Sequence, residues 1–162
     1  MDLVIDTNIF VHAKDMDRVY GMNCLMFLSN FLQCDDKMAL DYKNEIWQEY
    51  QDNLSEYKFF QEFYKQMQWQ NRFAFADSKI NRKEENKLIE LGFHEAEDHV
   101  FVGVALNTGK TIVTDDSDYG ANGEPDKQKV YEYMQTELHL NVWNSEQAKE
   151  KFYLPGIKVV ER

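Results

Sequence analysis

At 162 residues the chain can bury a sizeable single core, and its net charge of −11 argues against a large, nonspecific grip on nucleic acid through Lys and Arg. A hydrophobic fraction of 43%, an aromatic content of 14% of the chain, and only seven Gly and two Pro exclude extended disorder and long linkers and point to one domain over residues 1–162. No apolar run approaches the roughly 20 residues of a membrane helix, and the Leu3–Ile5 run is too short for a signal peptide and has no basic region before it. A cytoplasmic protein with no membrane partner is expected. Cys24 and Cys34 lie in or near an apolar segment without metal-type spacing and read as reduced packing residues. The acidity fits a carboxylate metal site and a basic partner equally well.

Leu3, Val4 and Ile5 form an apolar, partly β-branched run that reads as a buried strand ending on Asp6, Thr7 and Asn8. Asp6 stands where open α/β sheets place ligands, although capping a following helix is an equal use for it. A helix starting at Asp15 or Asp17 carries Val19, Met22, Leu25, Met26, Leu28, Phe31 and Leu32 at roughly helical spacing. Met38–Leu40 repeats the first pattern and ends on Asp41, so a parallel strand–helix–strand unit is expected.

In Asn44–Leu54, Ile46, Trp47, Tyr50 and Leu54 share one helix face, and Glu45 and Glu49 stand one turn apart. A solvated acidic face explains either Glu alone. Ser55–Trp69 reads as a helix with Ser55 at its N-cap, continuing an aromatic-rich region over residues 57–75. Aromatics interleaved with Lys can stack on bases, but core or protein-interface use is the commoner reading. Phe73–Asp77 is expected as a connection, and Asn81–Leu91 as a charged helix ended by Gly92, with a small basic cluster at Arg82, Lys83 and Lys87.

His94–Leu106 begins with ionisable residues and becomes apolar. Carboxylates in its first turn suit the helix dipole, yet Asp98 can point toward the strand ends. Thr111–Val113 is the next strand, followed by Thr114 and then Asp115, Asp116 and Asp118, more acids than a turn needs. Pro125 suits a helix start, Leu140–Trp143 a further strand, and Ser145 the cap of a last helix through Phe152. Ile157–Val160 is expected as an edge strand or tail.

Acids therefore recur at Asp6, Asp41, Glu45 or Glu49, Asp98, and Asp115 to Asp118. If parallel strands gather them at one edge they repel one another, unless a divalent cation neutralises the group. Hard oxygen donors suit Mg²⁺ or Mn²⁺. No Gly-rich phosphate loop occurs, and His12, His94, His99 and His139 show no zinc-like spacing.

Four segments, LVIDTNIF, EIWQEYQDNL, EDHVFVGVAL and TIVTDDSDYG, resemble in order the motifs of the PIN-domain family, from Leu3 to about Trp143. Glu49 matches the family's helix Glu better than Glu45, and Asp115 departs from the pattern by standing where another polar residue is usual. The resemblance implies a three-layer α/β/α fold with a mainly parallel central sheet. It implies a Mg²⁺- or Mn²⁺-dependent endoribonuclease that hydrolyses RNA with an activated water. Asp6, Asp98, Asp116 and Asp118 are the implied metal ligands, and Asp6, Glu49, Asp98 and Asp116 the implied catalytic residues. Thr7, Asn8 and Thr114 are the implied substrate-positioning residues. Many small members are toxins held by an antitoxin, so an antitoxin or another protein partner, or a homodimer, belongs to the expectation. The extra aromatic region and the strong acidity depart from short toxins.

Two other readings compete. A phosphatase of the haloacid-dehalogenase type wants an Asp two residues after the first, where Asn8 cannot donate a proton. An acidic interaction module that keeps the fold but not cleavage fits the aromatic helix and the charge.

Overall fold

The computed structural model describes residues 1–154; Pro155, Gly156 and the expected Ile157–Val160 segment lie outside the described residues. Five short strands form one sheet: β1 (Asp2–Ile5), β2 (Lys37–Asp41), β3 (Phe73–Ala76), β4 (Thr111–Val113) and β5 (Asn141–Trp143). Their order is β3-β2-β1-β4-β5, and every pairing is parallel. Parallel strands are covered on both faces, which explains the near-continuous apolar runs at β1, β2 and β4, all buried beyond their first residue.

Among the described residues eight α-helices connect and cover the strands: α1 (Thr7–His12), α2 (Val19–Leu32), α3 (Glu45–Leu54), α4 (Lys58–Trp69), α5 (Arg82–Glu90), α6 (Ala96–Leu106), α7 (Gln128–Thr136) and α8 (Ser145–Lys151). The result is the three-layer α/β/α arrangement expected from the sequence. The chain winds outward from β1 to β2 and β3, then returns to lay β4 on the other side of β1. Right-handed crossovers in opposite directions put α2 and α4 on one face and α5 to α7 on the other. The sheet therefore reverses direction between β1 and β4, and the carboxyl ends of those two strands flank the crevice where such sheets bind ligands.

Most of the aromatic residues lie in the core or pack against its margin. Phe10 meets Tyr50, Phe60 and Phe63 edge-on at centroid distances of 5.0 to 5.5 Å, and Phe31 stacks on Phe63. In the 57–75 region, Phe60 and Phe63 are buried, while Tyr57, Phe59, Tyr64 and Phe73 pack against the core from its margin. Only Trp69 and Phe75 are exposed there as large apolar groups. Most of that segment is packing material.

Four expectations about elements change. Phe73–Ala76 is an edge strand and not a connection, pairing with β2 from Met38↔Phe73 to Asp41↔Ala76. Its alternating Phe and Ala suit a pleated surface, and an edge strand needs only one partner. Ser55 closes α3 and does not cap α4, which begins behind Tyr57 without a side-chain cap. The first long helix begins at Val19 behind Arg18; Asp15 precedes it and pairs with Arg18 at 3.0 Å. Asn144, one residue before Ser145, caps α8: its side chain accepts from the Gln147 amide, and Gln147 accepts from the Asn144 amide.

Arg72 carries a role that no local pattern announces. It is buried, and its guanidinium donates to the carbonyls of Phe31, Leu32 and Asp36 and to the Gln70 side chain. A buried cation thus closes the carboxyl end of α2, where the helix dipole favours positive charge. Among the described residues no helix is long and apolar enough to cross a membrane.

Candidate metal centre

Asp6 follows β1 directly, and the β1–β4 register, Ile5 against Val113, sets it beside Thr114. Thr114 Oγ1 donates to Asp6 Oδ2 at 2.7 Å and accepts the Asp116 amide at 3.0 Å. The Asp6 side chain makes no well-formed cap hydrogen bond to α1, and the nearby Asn8 amide only lowers its carboxyl slightly, so its main partner is Thr114. Burial, together with the charges of Asp116 and Glu49, raises the Asp6 carboxyl to about 7, against the opposing effect of the Thr114 bond.

The loop after β4 turns through a short 3₁₀ segment, Ser117–Tyr119. Asp116 Oδ1 accepts the Asp118 amide at 2.9 Å, which fixes both acids on one side of the turn. The start of α6 brings in Asp98. Carboxylate oxygens of Asp98, Asp116 and Asp118 all lie within 4.8 Å of one another. Burial, followed by the charges of Asp6, Asp116, Asp118 and Glu49, raises Asp98 to about 8. Lys127 stands 3.8 Å from Asp118 and relieves part of the crowding from one side.

Glu49 reaches the same region from α3. Its Oε1 accepts from Thr7 Oγ1 at 2.9 Å, and burial with the charges of Glu97, Asp116 and Asp52 raises its carboxyl. The neighbouring Tyr50 holds α3 in place, because its buried hydroxyl donates to the Ile5 carbonyl at 2.5 Å, at the end of β1. Glu45 is exposed one turn earlier, so Glu49 is the glutamate that the fold turns toward the other acids. A cleft of about 590 Å³ runs from here between α3 and α6, with Glu45, Glu49, Asp52 and Glu97 among its walls.

Two acids of the sequence pattern are used elsewhere. Asp41 is buried and accepts the amides of Glu45 and Ile46, both at 2.9 Å, closing the amino end of α3. Asp115 accepts the Ser145 amide at 2.9 Å and the Asn122 side chain at 3.4 Å, on the side of α8. Thr7 and Thr114, expected to position substrate, both give their hydroxyl hydrogens to site carboxylates. The Asn8 amide oxygen is buried without a hydrogen-bond partner among the described residues.

Sequence reasoning did not single out Tyr119. It is fully buried, its hydroxyl has no partner among the described residues, and the charges of Asp6, Asp98, Asp116 and Glu49 add to burial in holding its phenol protonated. Its place directly after Asp118 was the available signal. The Arg82, Lys83 and Lys87 cluster on α5 is interleaved with acids, and Lys87 pairs with Glu90 at 3.6 Å.

Compared with models of known protein families, with curated proteins and with solved structures, the chain gives no match. The chemistry of the centre has to be read from its own residues. Asp98, Asp116 and Asp118 could hold a metal ion.

Proposed function

We propose that the chain is a Mg²⁺- or Mn²⁺-dependent endoribonuclease of PIN-like design. The observation that carries this reading is the convergence of Asp98, Asp116 and Asp118 from two distant segments, with Asp6 and Glu49 beside them, at the switch point of a parallel sheet. The residues fit a hard divalent ion: every candidate donor is a carboxylate, and two buried polar atoms, Asn8 Oδ1 and Tyr119 Oη, have no described partner. Asp6, Asp98, Asp116 and Asp118 would hold it. When bound, such an ion supplies Lewis acidity toward a phosphate oxygen and a water of lowered pKa.

The chain's own groups divide the remaining work. Thr114 holds Asp6 and the Asp116 amide together, so the strand end and the loop keep one geometry. Thr7 engages Glu49 Oε1 and leaves Oε2 to take a proton from the attacking water. A toxin held by an antitoxin belongs to the same reading, with a basic partner segment suited to the acidic walls of the cleft.

The decisive experiment is cleavage of mixed RNAs by wild type and by Asp6→Asn, Asp98→Asn and Asp116→Asn, with Mg²⁺ or Mn²⁺. Cleavage by wild type and its loss in each variant is expected. An inactive wild type, or variants that cut as well, sinks the proposal. The acidic cleft and the −11 charge favour a second reading, a non-cleaving interaction module. Calorimetry that finds no divalent binding at the carboxylates decides for it.

A further inference from the structure

A second cluster of metal-binding side chains lies on the other side of the β4 loop. His12 ends α1, Cys24 sits in the second turn of α2, and Asp115 follows Thr114. One ligand atom from each lies within 4.8 Å of the other two. We propose that His12, Cys24 and Asp115 form a metal site for a borderline transition ion of the Zn²⁺ type, separate from the carboxylate centre.

The donor set makes the distinction. The carboxylate centre offers oxygen alone, which suits Mg²⁺ and Mn²⁺. The second cluster offers sulfur, nitrogen and oxygen, which suits Zn²⁺ or Co²⁺. Geometry agrees. A thiolate at about 2.3 Å and a carboxylate oxygen at about 2.0 Å from one tetrahedral ion stand about 3.5 Å apart. Cys24 Sγ and Asp115 Oδ2 are 3.5 Å apart. The other Asp115 oxygen is held from behind by the Ser145 amide and the Asn122 side chain, the kind of support that orients a ligating carboxylate.

The second, independent observation is the imidazole. His12 Nδ1 is buried and has no hydrogen-bond partner among the described residues, while its ring packs on Tyr20 at a centroid distance of 4.9 Å. A buried ring nitrogen without a partner costs free energy, which an ion bound at that nitrogen would relieve. Without the ion, the Cys24 thiol donates to Asp115. With it, the S–H bond breaks, the sulfur pair bonds the ion, and the proton leaves to solvent. Water takes the fourth position. The ion would tie α1 and α2 to the loop that carries Asp116, whether or not the carboxylate centre cleaves RNA.

The test uses untagged, metal-stripped protein titrated with Co²⁺. Expected is one equivalent, beyond any taken up by the carboxylate centre, that gives a near-ultraviolet thiolate-to-cobalt charge-transfer band and tetrahedral visible bands, all displaced by Zn²⁺ and untouched by Mg²⁺. Cys24→Ser should abolish the charge-transfer band. His12→Gln and Asp115→Asn should weaken Zn²⁺ binding at least about 10-fold. The Asp98→Asn, Asp116→Asn double variant should keep the band. Circular dichroism establishes that each variant is folded, and if Cys24→Ser is not, the partly exposed His12→Gln decides. A folded wild type without the band overturns the site. So does a band that persists in Cys24→Ser, which would come from Cys34, or undiminished Zn²⁺ binding by His12→Gln.

Discussion

Asp98 and Asp6 set the behaviour of the site at the scale of single residues. Their carboxyls rise to about 8 and about 7, because burial and neighbouring acids disfavour the charged forms. In the unfolded chain both return to the ordinary carboxylate range near 4. The native state therefore holds more protons than the unfolded state between those limits, and unfolding becomes easier as pH rises. The stabilisation is complete below about pH 4 and is lost progressively until pH passes about 8. Metal-free protein should melt at a lower temperature at pH 8.5 than at pH 6, by about 2–4 °C for each kcal/mol lost. Mn²⁺ should restore more at pH 8.5, where protons no longer compete for the ligands. Thermal melts at both pH values, with and without Mn²⁺, check this; a metal-free melting temperature that rises over this interval contradicts it.

The same crowding gives Asp98→Asn a double signature. Removing a charge from among Asp6, Asp116, Asp118 and Glu49 relieves repulsion, so the metal-free variant should be more stable than wild type at pH 8.5. RNA cleavage should fall about 100-fold or more. A melt and a cleavage time course on one preparation read both, and a variant that loses activity and stability together would indicate a merely structural Asp98.

At the scale of elements, α6, which delivers Asp98, packs tightly against the segment after β3, and Gly103 permits it. A Cβ there would stand 1.8 Å from the Ser78 carbonyl oxygen. Backbone cannot yield as a flexible side chain can, so Gly103→Ala should cost about 1–3 kcal/mol in chemical denaturation and weaken metal binding by moving the start of α6. Unchanged stability and metal affinity would mean that α6 is free to shift. Asp41 belongs to this scale as well. Its sequence pattern matches Asp6, but its two oxygens close α3, and it acts on the site only by fixing the helix that carries Glu49.

At the scale of the whole molecule, the charge of −11 limits how the RNA of the proposed activity could be held. The basic residues of α5 are interleaved with acids, and the cleft beside Glu49 is walled by Glu and Asp. RNA binding should then depend on divalent ions more than on Lys and Arg. Filter binding of RNA to a Glu49→Gln variant, which keeps the four proposed metal ligands, should give a log–log salt slope shallower than about −3, corresponding to only a few phosphate contacts. A slope of −6 or steeper would reveal a basic surface that the charge distribution hides.

The sequence by itself determined the alternation of strands and helices, the buried strands β1, β2 and β4, and the order in which the acids occur along the chain. These follow from local periodicity and composition, which report how each short segment meets the core. Local pattern could not reveal the edge strand Phe73–Ala76, whose backbone gains its meaning from β2. Nor could it show which distant groups engage each acid. Asp115 and Asp116 are adjacent in sequence, yet the amino end of α8, 30 residues on, takes Asp115 while Asp116 stays with Asp98 and Asp118. Asp41 was claimed by the amides of α3, and His12 met Cys24 and Asp115 without any spacing to announce it. Only the tertiary structure decided these matters, because a side chain's chemistry is set by what distant segments place against it.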